Sequence, residues 1–434
     1  MLALEQVLPP SASVSPEGHL TVGGCDLVAL AETHGTPLVV YDEGLLRATA
    51  RAFAEAVARH APGGEVVYAS KAYFGLAMLR LAAEEGLSVD VASGGELYAA
   101  LRAGVPPARI HLHGNNKDAA EVAAALEAGV GMVIVDNLDE VALLQREASA
   151  RGLVQPVLVR VTPGIDPDTH RSIATGQVDS KFGFPLAGGL AAQGVEAVRA
   201  APALRLVGLH AHLGSQLLDL SVFPEAAEVL AGFAAEVGAE DLGVMDMGGG
   251  LGIAYTREQR PPGVEEFVET VADAVREAWG RRGLPVPRLV IEPGRSMVGR
   301  AGLTLYRVGA LKSIPGVRTY AAVDGGMSDQ LRPMLYGAVY EPLVADRADA
   351  APDEAYRLVG KHCESGDVLV SEARLPALRV GDLVCLPATG AYGVSMASNY
   401  NGQPRPAVVF VDDGAARVVT RRETYADIVA RDDV

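Results

Sequence analysis

Between about residue 40 and residue 295 the chain alternates two kinds of segment. Short β-branched runs read as strands at 65–70, 88–92, 110–113, 132–135, 156–161, 206–212, 243–247 and 288–292. Amphipathic stretches rich in Ala and Leu lie between them and predict helices, among them 76–85, 119–128, 138–150, 222–236 and 264–280, with an earlier one at 43–60. Strands in strict alternation with helices over roughly 250 residues predict a (β/α)8 TIM barrel, with a doubly wound open sheet as the competitor. The polar residues favour the barrel. Lys71, Ser93, Asn115, Asp136, His212, Gly248 to Gly250 and Glu292 to Arg295 fall at or just past strand C-termini, which in a barrel converge on one mouth.

Past residue 296 the alternation stops. Runs such as LTLYRVGAL, DLVCLPATG and PAVVFVDD, separated by Gly, Pro and Asp turns, predict a C-terminal β domain, sandwich- or barrel-like. The strand-like stretch at 20–29 is expected to join it. The expected division is therefore 1–36 with the β domain, 37–295 as the barrel and 296–434 as the β domain proper.

With 434 residues, 49% hydrophobic and 21% charged, the composition is that of a globular protein. No apolar run approaches the ~20 residues of a membrane span, and the N-terminus lacks a basic start followed by an apolar core, so a cytoplasmic location is expected. A net charge of −17 argues against nucleic acid as a partner. Cys25, Cys363 and Cys385 are too few and too scattered for a disulfide framework or a zinc site, so no metal is expected.

The segment Asp246-Met-Gly-Gly-Gly-Leu-Gly252 follows a strand, and successive glycines let backbone N–H groups approach a phosphate. A tight strand-to-helix turn would use the same residues. The next strand ends in Glu292-Pro-Gly-Arg295, and the last two strands of a barrel are where phosphate commonly binds. A lysine, Lys71, ends the first strand in Tyr68-Ala-Ser-Lys71-Ala; it is one of only five (Lys71, Lys117, Lys181, Lys312, Lys361). Schiff-base chemistry needs an amine that can lose its proton, which burial at the mouth would promote.

Tyr68 to Ala72, His212-Leu-Gly-Ser-Gln216, the glycines 248–250, Glu292 to Arg295, Arg332-Pro-Met-Leu-Tyr336, Cys363-Glu-Ser-Gly-Asp367 and Gly390-Ala-Tyr392 together resemble the fold-type III pyridoxal-phosphate (PLP) decarboxylases, in the same order over roughly residues 35 to 425. Thr175-Gly176, Ser180-Lys-Phe-Gly183 and Ser398-Asn-Tyr-Asn401 favour the branch acting on meso-2,6-diaminopimelate over the ornithine-type branch. After Ala72 this chain has Tyr73-Phe74 where many relatives have Asn.

The resemblance implies that Lys71 carries PLP as a Schiff base, Glu292 faces the pyridine nitrogen and His212 stacks on the ring. It implies that Ser215, Gly249, Gly250, Pro293, Gly294 and Arg295 surround the phosphate, with the Tyr392 hydroxyl added. Cys363, in a polar loop, becomes the acid that protonates the α-carbon, whereas Cys25 and Cys385 lie in apolar runs and read as packing residues. Arg295, Arg332, Tyr336, Glu364 and Tyr392 are implied to bind substrate, and the family pattern implies a homodimer with shared active sites. The alternatives are a decarboxylase of ornithine, arginine or carboxynorspermidine, an amino-acid racemase, and a non-catalytic PLP-binding homologue. A racemase would tend to place Arg at the pyridine nitrogen, where this chain has Glu292.

Overall fold

The computed structural model describes residues 4–165 and 180–433, so Thr175-Gly176 lies outside the described residues. Eight parallel strands appear where the β-branched runs are: β1 Glu65–Ala69, β2 Ser88–Val91, β3 Ile110–Leu112, β4 Met132–Val135, β5 Gln155–Thr162, β6 Leu204–His210, β7 Val244–Asp246 and β8 Arg288–Ile291. Each pairs with the next in sequence, and β8 pairs with β1 through Val290↔Glu65 and Ile291↔Val66. That last pairing closes the barrel and removes the open-sheet alternative. Val67, Met132, Ile134, Leu158, Val244 and Val290, from β1, β4, β5, β7 and β8, form one buried cluster, each contributing roughly 1.5–3 kcal/mol on full burial.

Side chains cap the helices that return the chain between strands. Ser93, expected among the mouth residues, accepts at its Oγ from the N–H of Glu96 and starts the helix Gly94–Ala103. Asp118 forms a reciprocal cap with Glu121, and Asn137 caps Leu138–Ala150. These contacts satisfy N–H groups that the first turn of a helix leaves open.

The chain forms two compact units: 49–252 with 261–294, which is the barrel, and 1–48 with 253–260 and 295–434. Residues 37–48, expected with the barrel, lie in the second of these. Leu38–Asp42 pairs antiparallel with Gly302–Ile314 and parallel with Ala407–Asp412, so it is an inner strand of that unit's large mixed sheet. The stretch 20–29 lies in this unit but does not run as a single strand. Leu20–Val22 and Cys25–Asp26 join Ser13–Val14 in a small separate sheet, and Leu27–His34 is a helix. Asp26 is the reason: its carboxylate accepts from the N–H groups of Val28 and Ala29, a helix cap inside a run that reads as a strand. The same unit holds a strand at Val368–Leu375, which Glu372 and Arg374 hide from a hydrophobic reading. Cys25 and Cys385 are buried in its core, and burial pushes both thiols up.

Candidate functional site

Within the barrel unit, a cavity of about 600 Å³ opens at the strand C-termini, lined by Lys71, Asp90, His113, Arg160, His210, His212 and Glu292 and by Ser180, Lys181 and Phe182. Lys71 sits in a single turn, Ser70–Ala72, directly after β1. It is exposed rather than buried. Tyr73 behind it is buried and fixed, its carbonyl accepting from the Tyr68 hydroxyl at 2.9 Å, while Phe74 points outward. Asp90 at the end of β2 accepts from the N–H of Ser70 at 3.2 Å, which ties the Lys71 turn to the next strand. Burial, then the charge of Glu292, pushes Asp90 up to about 8, with Lys71 acting against the shift.

His212 lies two residues past β6. Its Nδ1 accepts from the N–H of Gly249 at 3.4 Å, and burial, then the charge of Lys71, pushes it down to about 3. The ring is therefore neutral at neutral pH. Gly248 has φ +65°, and a Cβ there would meet His212 Nδ1 at 2.8 Å. A Cβ on Gly249 would lie 2.2 Å from the Glu292 carbonyl oxygen. Glycine is thus required for the loop after β7 to lie against the end of β8, where the Glu292 N–H donates to Gly248 O at 2.8 Å. Pro293 carries the closure on, its carbonyl accepting from the Ala69 N–H at 3.1 Å, and Gly294 packs on Ala69. Ser215 is exposed on the loop after β6.

Glu292 is buried between two imidazoles. His210 Nε2 lies 3.1 Å from its Oε2 in a hydrogen bond, and His113 Nε2 lies 2.8 Å from Oε1 without hydrogen-bond alignment. Burial alone would raise the carboxyl, but the two histidines outweigh it and hold Glu292 well below the usual carboxylate range. Asp246 goes the other way. Burial, then the charge of Glu292, raises it well above the ordinary value, while its Oδ1 accepts from the Gly248 N–H at 2.8 Å. Of these three buried acids, Glu292 is the one whose carboxyl is held below its ordinary value. The three ligand atoms of His113, His210 and Glu292 lie within 4.8 Å of one another, a spacing compatible with a metal. Both imidazoles, however, lie against the carboxylate's own oxygens rather than sharing a centre with it, and His210 is hydrogen-bonded there.

Among the described residues Glu292 Oε1 has no aligned hydrogen-bond partner. A buried, ionised acceptor left open in this way is satisfied by an N–H donor, and a protonated pyridine supplies one together with the opposite charge. Together with a glycine loop that a Cβ would fill, the residues present fit PLP.

In the other unit, the Arg295 guanidinium lies over the ring of Tyr392 at 4.9 Å and bonds to the Tyr255 hydroxyl. Tyr392 adopts φ +67°, a conformation that non-glycine residues hold only when their surroundings impose it. Arg332 is 6% exposed, stacks over Tyr255 at 4.7 Å and bonds to the Tyr340 hydroxyl. Among the described residues no carboxylate pairs with it. Tyr336 is exposed at the end of the short helix Arg332–Tyr336. Cys363 is exposed, and its N–H donates to Asn401 Oδ1 at 2.8 Å. Preceding it, His362 is fixed by Asp367, Nδ1 to Oδ2 2.7 Å, and stacks on Tyr400. The Cys363–Asp367 and Ser398–Asn401 motifs thus meet in one loop assembly. Glu364 in that assembly accepts from the Gly366 N–H at 3.2 Å.

Sequence reasoning passed over His113, His210, Asp90 and Arg160. A signal was present: His210 and His212 stand two apart at the end of one strand run, so they project to one face.

The chain belongs to the pyridoxal-dependent decarboxylases: residues 44–299 match the family model of their pyridoxal binding domain. Over almost its whole length it is similar to diaminopimelate decarboxylases. It is 48% identical to that of Bacillus subtilis (96% of this chain, 95% of the relative) and 48% identical to that of Actinosynnema pretiosum (99% and 96%). Among solved structures, the diaminopimelate decarboxylase from M. jannaschii in co-complex with L-lysine superposes with a TM-score of 0.92 at 33% identity, covering 100% of this chain and 99% of that one.

Proposed function

We propose that this chain decarboxylates meso-2,6-diaminopimelate to L-lysine and CO2, the last step of lysine biosynthesis, in the cytoplasm and as a homodimer. The observation that carries the substrate is Arg332. A guanidinium buried among tyrosines with no carboxylate beside it calls for an anionic ligand, and the far end of diaminopimelate carries a carboxylate where that of ornithine carries only an amine. The near-full-length similarity to diaminopimelate decarboxylases supports the same choice.

PLP, when bound, supplies an electron sink for the pair left on the α-carbon as CO2 departs. Lys71 would anchor it covalently, and Glu292 would face its ring nitrogen and keep a proton there. The neutral imidazole of His212 would lie along the ring without adding a competing charge. Gly249, Gly250, Gly294 and Ser215 would offer N–H and O–H groups to the phosphate, joined by Pro293, Arg295 and the Tyr392 hydroxyl. Cys363 gives a proton to the α-carbon, and Arg295, Arg332, Tyr336, Tyr392 and Glu364 hold the substrate, Glu364 pairing with its distal ammonium.

Exposed Met334, Leu335, Tyr336 and Val339 form an apolar run suited to a subunit interface. Among the described residues no helix is long and apolar enough to cross a membrane. The test is CO2 release from meso-diaminopimelate, ornithine, arginine and lysine side by side. Turnover of diaminopimelate well above the other three is expected, and preference for ornithine or arginine would overturn the reading. Borohydride reduction followed by peptide mapping checks the anchor, since the pyridoxyl group should be recovered on Lys71.

A further inference from the structure

Two imidazoles stand against Glu292. His113, just past β3, and His210, the last residue of β6, are both buried. Their rings meet edge to face at 5.1 Å and 73°, so each fixes the plane of the other. A carboxylate only accepts, so His210 presents Nε2–H to Oε2, which leaves its buried Nδ1 without a hydrogen-bond partner among the described residues. Burial pushes His210 down to about 4, against the pull of Glu292, and lowers His113 for the same reason. Both rings are therefore neutral, and His210 is the one aligned as a donor.

A ring nitrogen and the carboxylate facing it share one proton. Which of them holds it follows their relative basicity, and every N–H donated to the carboxylate makes it the weaker base. The other groups facing Glu292 divide. Asp90 and Asp246 are like charges when ionised and favour a proton on Glu292, whereas Arg160 and Lys71 at the cavity wall oppose it. Resting on the assignment of Glu292 to the ring nitrogen, we propose that His113 and His210 are positioning residues that keep the shared proton on the cofactor's ring nitrogen rather than on Glu292. His210 does so through its bond to Oε2. His113 stands at Oε1, whose two lone pairs have room for it and for the ring N–H together.

The test uses enzyme loaded with PLP labelled with 15N in the ring, whose NMR shift reports protonation independently of turnover. Wild type should show the protonated signal. So should His210→Gln, whose carboxamide can offer an N–H to the same oxygen. His210→Leu and His113→Leu should move toward the unprotonated signal, with kcat lowered about tenfold or more and KM little changed, the effect of losing a donor to a charged group. A protonated signal in every leucine variant that folds, judged by thermal unfolding, overturns the proposal; if His210→Leu does not fold, His113→Leu decides it. Glu292→Gln separates the two levels. If it leaves the signal protonated, the assignment of Glu292 itself fails. If it shifts the signal while the leucine variants do not, only the role of the histidines fails.

Discussion

Arg332 is the side chain whose surroundings ask most of a ligand. Burying a guanidinium costs several kcal/mol unless an anion meets it, and phenol hydroxyls and ring faces compensate only in part. Arg332→Ala should therefore raise KM for meso-diaminopimelate by about 10- to 150-fold, the equivalent of ~1.5–3 kcal/mol for a hydrogen bond to a charged group, while PLP stays bound. A variant that loses PLP but binds substrate normally would place Arg332 with the cofactor instead. His210 gives a second expectation, about stability. Its folded-state value of about 4 lies below the ordinary 6.5, so the unfolded chain binds the extra proton first as pH falls. The stabilisation is whole above pH 6.5 and drains away as pH falls toward 4. In cofactor-free protein, the stability advantage of wild type over His210→Gln should shrink by up to about 3 kcal/mol across that window, measured by urea unfolding. At this scale the sequence told unevenly. Lys71 and Glu292 were legible as lining the barrel cavity, because they sit in motifs at strand ends. His113 and His210 were not, because neither belongs to such a motif and their meeting depends on β3 and β6 facing one another across a closed barrel.

Between elements, the contact that asks to be tested is the buried pair Lys117–Glu140. Lys117 Nζ uses all three hydrogens, on Gly114 O (2.7 Å), Ile134 O (2.7 Å) and Glu140 Oε1 (2.6 Å). Glu140 Oε2 in turn accepts from the Asp136 N–H at 3.0 Å, and Asp136 Oδ2 accepts from the Gly183 N–H at 2.8 Å. One ammonium thus joins the loop after β3, the end of β4 and the segment Ser180–Gly183 at the cavity wall. Lys117→Met leaves Glu140 buried without its cation and should cost about 3–5 kcal/mol, whereas Lys117→Met with Glu140→Leu should recover much of that in denaturant unfolding. A double variant no better than the single would mean that the backbone contacts dominate. The periodic signal located every barrel strand because a strand buried on both faces is an uninterrupted apolar run. It misread 20–29, where the deciding feature is one carboxylate cap, and it missed Val368–Leu375, where charged side chains alternate with buried ones.

For the whole molecule, the proposed dimer makes a quantitative expectation. Lys71 belongs to the barrel unit, and Cys363 and Glu364 belong to the other. If Cys363 serves the partner subunit, Lys71→Ala and Cys363→Ala proteins, each nearly inactive alone, should complement when mixed. Random exchange at equal amounts makes half the dimers mixed, each with one intact site of two, so activity should return to about a quarter of wild type. A mixture that exchanges subunits, shown by native mass spectrometry, and stays inactive would mean that each chain completes its own site.

The place of Leu38–Asp42 has a consequence for how the protein is made. This strand leaves the ribosome long before Ala407–Asp412, one of its two neighbours. The barrel needs nothing beyond Gly294 and can close while translation continues. The N-terminal strand must then wait with its edge unpaired, the condition in which strands find wrong partners. Ribosome-bound chains stalled near residue 350 should show a protease-resistant barrel and a cleavable N-terminal arm, and only release of the full chain should protect both.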